Sequence, residues 1–192
     1  MRLTRGERRS RRAHGAIIAL VSVIISILVL TALGWGVHSL LGSSAVPFAA
    51  QPTVVRVIDG DTIDVRLGHQ VIRVRLLGID TPETKDPRRP VQCFGPEASR
   101  RTGQLLPAGT IVHLEADIET HDAFGRILAY VHREDGLFVN LSLLTDGFAD
   151  VLTIAPNGSH AAEFRAAAAA ARAEQRGLWG SCGGPGHPAG TG

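Results

Sequence analysis

Three short clusters in this 192-residue chain combine carboxylates, arginines and tight-turn residues. They are Asp59-Gly60-Asp61-Thr62, the stretch Arg75-Leu76-Leu77-Gly78-Ile79-Asp80-Thr81-Pro82-Glu83, and Asp122-Ala123-Phe124-Gly125-Arg126. Each has an ordinary structural reading by itself. Asp and Gly are what a hairpin turn demands, Asp-Thr-Pro-Glu suits a turn or a helix cap, and a loop arginine is commonly a solvated charge. Taken together they supply a chemistry. Hard divalent cations such as calcium want carboxylate, carbonyl and water oxygens. Asp61, Asp80 and the Thr81 carbonyl make a sparse set of that kind. Glu83, on the far side of Pro82, can take a proton from an attacking water as general base. Arg75 and Arg126 offer planar forks that grip phosphate oxygens two at a time and stabilise charge growing in a five-coordinate transition state. Lysine lacks that fork.

The elements that must position these groups are legible from periodicity. Residues 53–58 are rich in β-branched side chains, 62–67 alternate apolar and polar, and 70–77 continue the pattern, with Asp-Gly and Gly-His turns between them. This predicts a three-stranded meander whose last strand carries Arg75. A helix over 96–105 follows, with Pro96 near its first turn. Strands over 110–115 and 127–132, a short helix over 141–145 and an alanine-rich helix from 161 to about 175, capped by Ser159, complete the set. Five short strands with about three helices predict an α+β, mainly β fold, a small closed barrel of the OB type, over residues 53–182.

The first fifty residues differ in kind. Residues 1–15 hold six arginines and a single acid, Glu7, and residues 16–37 carry no charge. That run is close to the roughly 20 residues that cross a bilayer, and an arginine-rich flank stays cytoplasmic. Its apolar core exceeds the roughly 7–15 residues of a cleaved signal peptide. The expectation is a basic cytoplasmic arm, a transmembrane anchor over 16–37, a linker over 38–52 and a monomeric soluble domain facing outward, secreted if the segment is cleaved. The arm takes six of the 20 basic and one of the 18 acidic residues, leaving 14 against 17. The soluble part therefore carries a net negative charge and is no general polyanion binder; nucleic acid would have to be held by a local cationic site. Cys93 and Cys182, an even count in an exported domain, suggest a disulfide. The Gly/Pro-rich tail 183–192 reads as disordered.

The ordered set Val57-Ile58-Asp59-Gly60-Asp61-Thr62, Arg75-Leu76-Leu77-Gly78-Ile79-Asp80-Thr81-Pro82-Glu83-Thr84, Phe94-Gly95-Pro96-Glu97-Ala98-Ser99, Asp122-Ala123-Phe124-Gly125-Arg126, Asn140-Leu141 and Gly177-Leu178-Trp179 resembles the staphylococcal nuclease (thermonuclease) family. The resemblance implies a calcium-dependent phosphodiesterase acting on DNA and RNA, cutting the 5′ P–O bond to leave 3′-phosphates. It implies Asp61, Asp80 and the Thr81 carbonyl as calcium ligands, Arg75, Glu83 and Arg126 as the catalytic trio, and Asp59 as a supporting acid near the metal. It also locates departures. Where the family's best-known member has a lysine–tyrosine pair that contacts phosphate, this chain has Ala123 and Phe124. Where that member has two tyrosines lining the base and sugar pocket, Leu152 and Ile154 stand here. Base–aromatic stacking contributes about 1–3 kcal/mol per base, so these changes bear on substrate binding more than on chemistry. Cys93 and Cys182 are departures too, and a bridge between them would pin the C-terminal helix to the barrel. The alternative is a non-catalytic OB module that binds nucleic acid or protein. The full set of catalytic positions weighs against it.

Overall fold

Alternation of apolar and polar side chains builds the sheet that carries the three clusters. The computed structural model describes residues 51–88 and 90–189. The basic arm, the expected anchor over 16–37 and the linker up to residue 50 lie outside the described residues. Among the described residues no helix is long and apolar enough to cross a membrane. In chain order the elements are β1 (Thr53–Asp59), β2 (Thr62–Leu67), β3 (Gln70–Leu76), β4 (Gly78–Asp80), α1 (Gly95–Leu105), β5 (Val112–Glu115), β6 (Ile127–Arg133), α2 (Val139–Thr145), β7 (Asp150–Leu152), α3 (Ala161–Ala173) and α4 (Leu178–Cys182).

The fold is mainly β, with a mixed five-stranded sheet in the order β1-β2-β3-β6-β5 and four helices among the described residues. β1, β2 and β3 form the antiparallel meander read from the sequence. Ile63, Val65, Val74 and Leu76 are fully buried on its inner face. β3 then pairs parallel with β6, Val74 opposite Ile127 and Arg75 opposite Leu128. The Val54 amide donates to the Thr110 carbonyl at 2.8 Å and the Val112 amide to that of Pro52 at 2.9 Å. These bonds join β1 to the entry of β5, so the sheet curls back on itself and its outer edges are covered.

β4 and β7 were not legible in the sequence. They pair antiparallel, Ile79 opposite Val151, and three residues are too few to show a period. Helix α4 is likewise additional to the three expected, and at five residues it is one turn closed by the disulfide. Ser159 does not cap α3; its hydroxyl donates to Asp117 Oδ1 at 3.0 Å.

Two details shape the strand that holds Arg75. Gly78 sits at φ +76°, and a Cβ there would lie 2.6 Å from the Phe164 ring of α3. Only glycine lets β3 bend into β4 against that ring. Asn140, fully buried at the start of α2, donates from Nδ2 to the Leu77 carbonyl at 2.8 Å and accepts the Val131 amide at 2.9 Å. It satisfies the backbone groups that the bend leaves without ladder partners.

Cys93 and Cys182 form a disulfide, with Cα atoms 6.1 Å apart and a separation of 89 positions in sequence. The tail beyond it differs from the disorder expected for 183–192. The Cys93 amide donates to the His187 carbonyl at 2.8 Å, the Ala189 amide donates to that of Val91 at 2.9 Å, and Gln92 bridges Pro188. Composition alone favoured disorder; the covalent bond at 182 holds the tail's start beside its partner, so few residues must be ordered to make these bonds. Residues 190–192 lie outside the described residues.

Asp117 ties the loop after β7 to the sheet. Its carboxylate accepts from the Tyr130 hydroxyl and the Gly158 amide at 2.9 Å, and from the Ser159 amide at 3.0 Å. Burial alone would raise its pKa, but hydrogen bonds from Ser159, Tyr130 and Ile118 outweigh it and hold the group at about 2. A carboxylate with a depressed folded-state pKa stabilises fully above its ordinary value, and that stability is lost as pH falls toward the folded value. Asp117→Ala is therefore expected to lower unfolding free energy by about 2 kcal/mol at pH 6. The gap to the parent should narrow below pH 4 and close near pH 2, measured by urea titration at each pH.

Candidate active site

The register of β2 against β3 sets Thr62 opposite Arg75, so Asp61 arrives beside the Arg75 side chain. Gly60 makes this possible by its smallness: a Cβ there would stand 2.6 Å from Thr81 Oγ1. Asp61 Oδ2 accepts from the Thr81 amide and the Thr81 hydroxyl, both at 3.0 Å. The turn before β2 and the turn after β4 are thus locked together through one buried carboxylate.

Arg75 occupies the centre. Its side chain is 13% exposed. Nη1 donates to the carbonyls of Leu76 and Ile79, each at 2.9 Å, and Nη2 lies 3.1 Å from Asp80 Oδ1 and 3.2 Å from Asp61 Oδ2. The carboxylates of Asp61 and Asp80 therefore converge on one nitrogen. The Asp80 pKa is raised, first by loss of hydration in the cleft and then by the Asp61 charge, with Arg75 opposing. Its side chain is still 58% exposed.

Glu83 is held by its neighbours on both sides. Its Oε1 accepts the Lys85 amide at 2.6 Å and the Asp86 amide at 3.0 Å. Its own amide donates to Gln92 Oε1 at 2.9 Å, and its carbonyl accepts the Gln92 amide at 2.9 Å. Asp59 sits just beyond, in the same cleft. Its carboxylate accepts from the hydroxyls of Thr84 at 2.8 Å and Ser99 at 2.7 Å, and from the Gly60 amide at 2.9 Å. Burial raises the Asp59 pKa, but these bonds outweigh it and leave it lowered. Asp59 thus clamps the segment after Glu83 to α1.

Arg126 precedes β6, so the parallel pairing with β3 delivers it beside Arg75. Asp122 orients it: Oδ2 accepts from Arg126 Nε at 2.5 Å and Oδ1 accepts its backbone amide at 2.9 Å. The guanidinium also lies over the Phe124 ring, 5.5 Å from its centre. Gln92 and Asp122 are contributors that no assignment from the sequence singled out. Asp122 stands four residues before Arg126, the spacing of a loop clamp, whereas nothing local marks Gln92.

Two cavities meet at the arginines. One, of about 590 Å³, holds Asp59, Asp61, Asp80, Thr81 and Glu83 together with Arg75 and Arg126. The other, of about 430 Å³, is largely apolar and shares Arg75 and Arg126, with Phe124, Leu152 and Ile154 at its rim. Phe124 is 85% exposed there and Ile154 63%. The profile of the family described as "Staphylococcal nuclease homologue" matches residues 73–181. The chain is also 42% identical over 126 residues to a thermonuclease of Staphylococcus intermedius, covering 66% of this chain and 74% of that one.

This chain belongs to the staphylococcal nuclease family. It is 39% identical over 133 residues to endonuclease YncB of Bacillus subtilis (strain 168), covering 68% of this chain and 62% of the relative. It is 40% identical over 129 residues to the SPbeta prophage-derived endonuclease YokF of the same organism, covering 66% of this chain and 43% of that one. The family profile begins at Arg73, so Asp59 and Asp61 stand outside the matched stretch. Their place in the cleft rests on the contacts above.

The residues fit an oxygen-seeking divalent cation. Asp61 and Asp80 face one point with Glu83 nearby, and Arg75 is paired to the first two. Among the described residues no group of three or more His, Cys, Asp or Glu side chains is arranged to hold a metal ion. Held by Asp61 and Asp80, such an ion would keep several waters, as calcium and magnesium tolerate.

The Glu83 loop gives a test independent of activity. Gln92→Ala removes one hydrogen bond, about 1 kcal/mol, and should raise the open fraction of the loop roughly fivefold. Trypsin cleavage after Lys85 or Arg88, followed by mass spectrometry, is expected to accelerate by that factor while the global unfolding midpoint moves little.

Proposed function

We propose that this protein is a calcium-dependent nuclease that hydrolyses phosphodiester bonds of DNA and RNA at the 5′ P–O bond and leaves 3′-phosphates. The observation that carries this reading is the meeting of two cavities at Arg75 and Arg126. One cavity suits a nucleoside, the other suits a water and a cation, and the phosphate belongs between them. The curled five-stranded sheet, of OB type, is the frame that gathers residues 61, 75 and 126 at this point.

Glu83 serves as general base. Its Oε1 is fixed by two amides, which orients the carboxylate to accept a proton from the attacking water. Arg75 and Arg126 take the non-bridging phosphate oxygens and stabilise the extra charge of the five-coordinate state. Asp122 keeps the Arg126 fork oriented. Calcium, held by Asp61, Asp80 and the Thr81 carbonyl, supplies charge neutralisation when bound. The apolar pocket excludes water from one side of the phosphate and receives the nucleoside whose 5′ oxygen leaves. Phe124, Leu152 and Ile154 bind it by contact area, in place of hydroxyl-bearing rings. The apolar run 16–37, the preceding arginines and the disulfide support an outward-facing, membrane-anchored or secreted location.

Cleavage of single-stranded DNA and RNA by the purified protein should need calcium and stop in excess chelator. Glu83→Gln should lower kcat by about 10²–10⁴-fold at full fold stability. Full activity in chelator would refute the calcium requirement, and unchanged turnover by Glu83→Gln would refute the base.

A further inference from the structure

β3 presents three side chains on one face in a row: Val71, Arg73 and Arg75. Successive members stand roughly 7 Å apart along the strand. Arg75 points into the candidate active site, and Arg73 lines the same acidic cleft. Arg73 also lines a separate cavity of about 390 Å³, bounded by Asp64, Val71, Phe124, Gly125 and Arg126. This cavity shares Phe124 and Arg126 with the apolar nucleoside pocket. Phe124 therefore stands as an exposed wall between the two.

Arg73 is prepared for an anion. Asp64, whose side chain is 6% exposed, accepts from Arg73 Nε at 2.9 Å and Nη2 at 3.3 Å, and from Arg56 Nε at 2.9 Å. A single carboxylate thus holds two guanidinium groups, and the cluster keeps a net positive charge. The Arg73 fork is gripped along one edge, and the side chain as a whole is 46% exposed. Val71, 50% exposed on the same face, adds apolar surface opposite Phe124. Cation, apolar floor and aromatic wall are the components with which proteins hold single-stranded nucleic acid.

We propose that Val71, Arg73 and the outer face of Phe124 form a second nucleotide subsite. It takes the nucleotide on the opposite side of the scissile phosphate from the one in the apolar pocket. The inference rests on the nuclease reading above and adds to it a binding determinant outside the catalytic trio. Arg73 holds the neighbouring phosphate, and the base lies between Val71 and Phe124. The strand is thereby read across the cut rather than up to it, which favours a bond inside a chain over one at a small blocking group.

The test compares two substrates with the full-length protein in calcium. One is single-stranded tetrathymidylate. The other is thymidine 5′-(methyl phosphate), in which a methyl group replaces the nucleotide on the Arg73 side. The parent protein should favour the tetranucleotide in kcat/KM. Arg73→Ala should reduce that preference by about tenfold, and Val71→Glu, at an exposed position that does not threaten the fold, should reduce it similarly. Arg56→Ala should retain the preference. An unchanged ratio in both Arg73→Ala and Val71→Glu would overturn the subsite while leaving the nuclease intact, even if both rates fell together. Hydrolysis of neither substrate by the parent would overturn the subsite and the nuclease reading at once.

Discussion

The structure depends on one guanidinium. Arg75 spans the bend at Gly78 by donating to the carbonyls of Leu76 and Ile79, one before the bend and one after. The same side chain draws the carboxylates of Asp61 and Asp80 to a single nitrogen. The bend and the acid pair therefore form together. Removing Arg75 would leave the buried Asp61 without its cation, a costly state in a cleft already crowded with carboxylates. A bound phosphate would have to rearrange this cage, because it would compete with Asp61 for the same donors.

Around that centre, each functional residue is held by a hydrogen-bonded partner, some local and some from a distant part of the chain. Asp61 is held by Thr81, Glu83 by Gln92, Asp59 by Thr84 and Ser99, and Arg126 by Asp122. The disulfide and the paired tail brace Gln92 from behind. The chain of contacts thus runs from Cys182 to the candidate base. Positioning by satisfied hydrogen bonds suits a site whose chemistry is mostly electrostatic, since donors fixed beforehand need no reorganisation when charge develops.

Much of this was legible in the sequence, and the limits follow from range. The strand that follows Asp61 and the one that carries Arg75 announce themselves by period two, and the turn acids by their Asp-Gly and Asp-Thr-Pro context. β4 and β7 do not, because three residues cannot display a period and their pairing joins segments some seventy residues apart. Asp59 was expected near the metal by resemblance; what the sequence did not show is that its hydrogen bonds tie the loop after Glu83 to Ser99, forty residues away. The tail illustrates the opposite error: Gly and Pro content signals disorder only when nothing covalent holds the segment close. Leu152 and Ile154 were placed by resemblance, and they do border the cavity that contains both arginines.

Calcium titration by isothermal calorimetry, with the parent protein and Asp61→Asn side by side, probes the acid pair without reference to turnover. The expected result is a single calcium site in the parent that Asp61→Asn abolishes or weakens by at least tenfold. Equal binding by the two proteins, or no binding by the parent, would contradict the assignment of this cleft as the metal-assisted phosphodiester site.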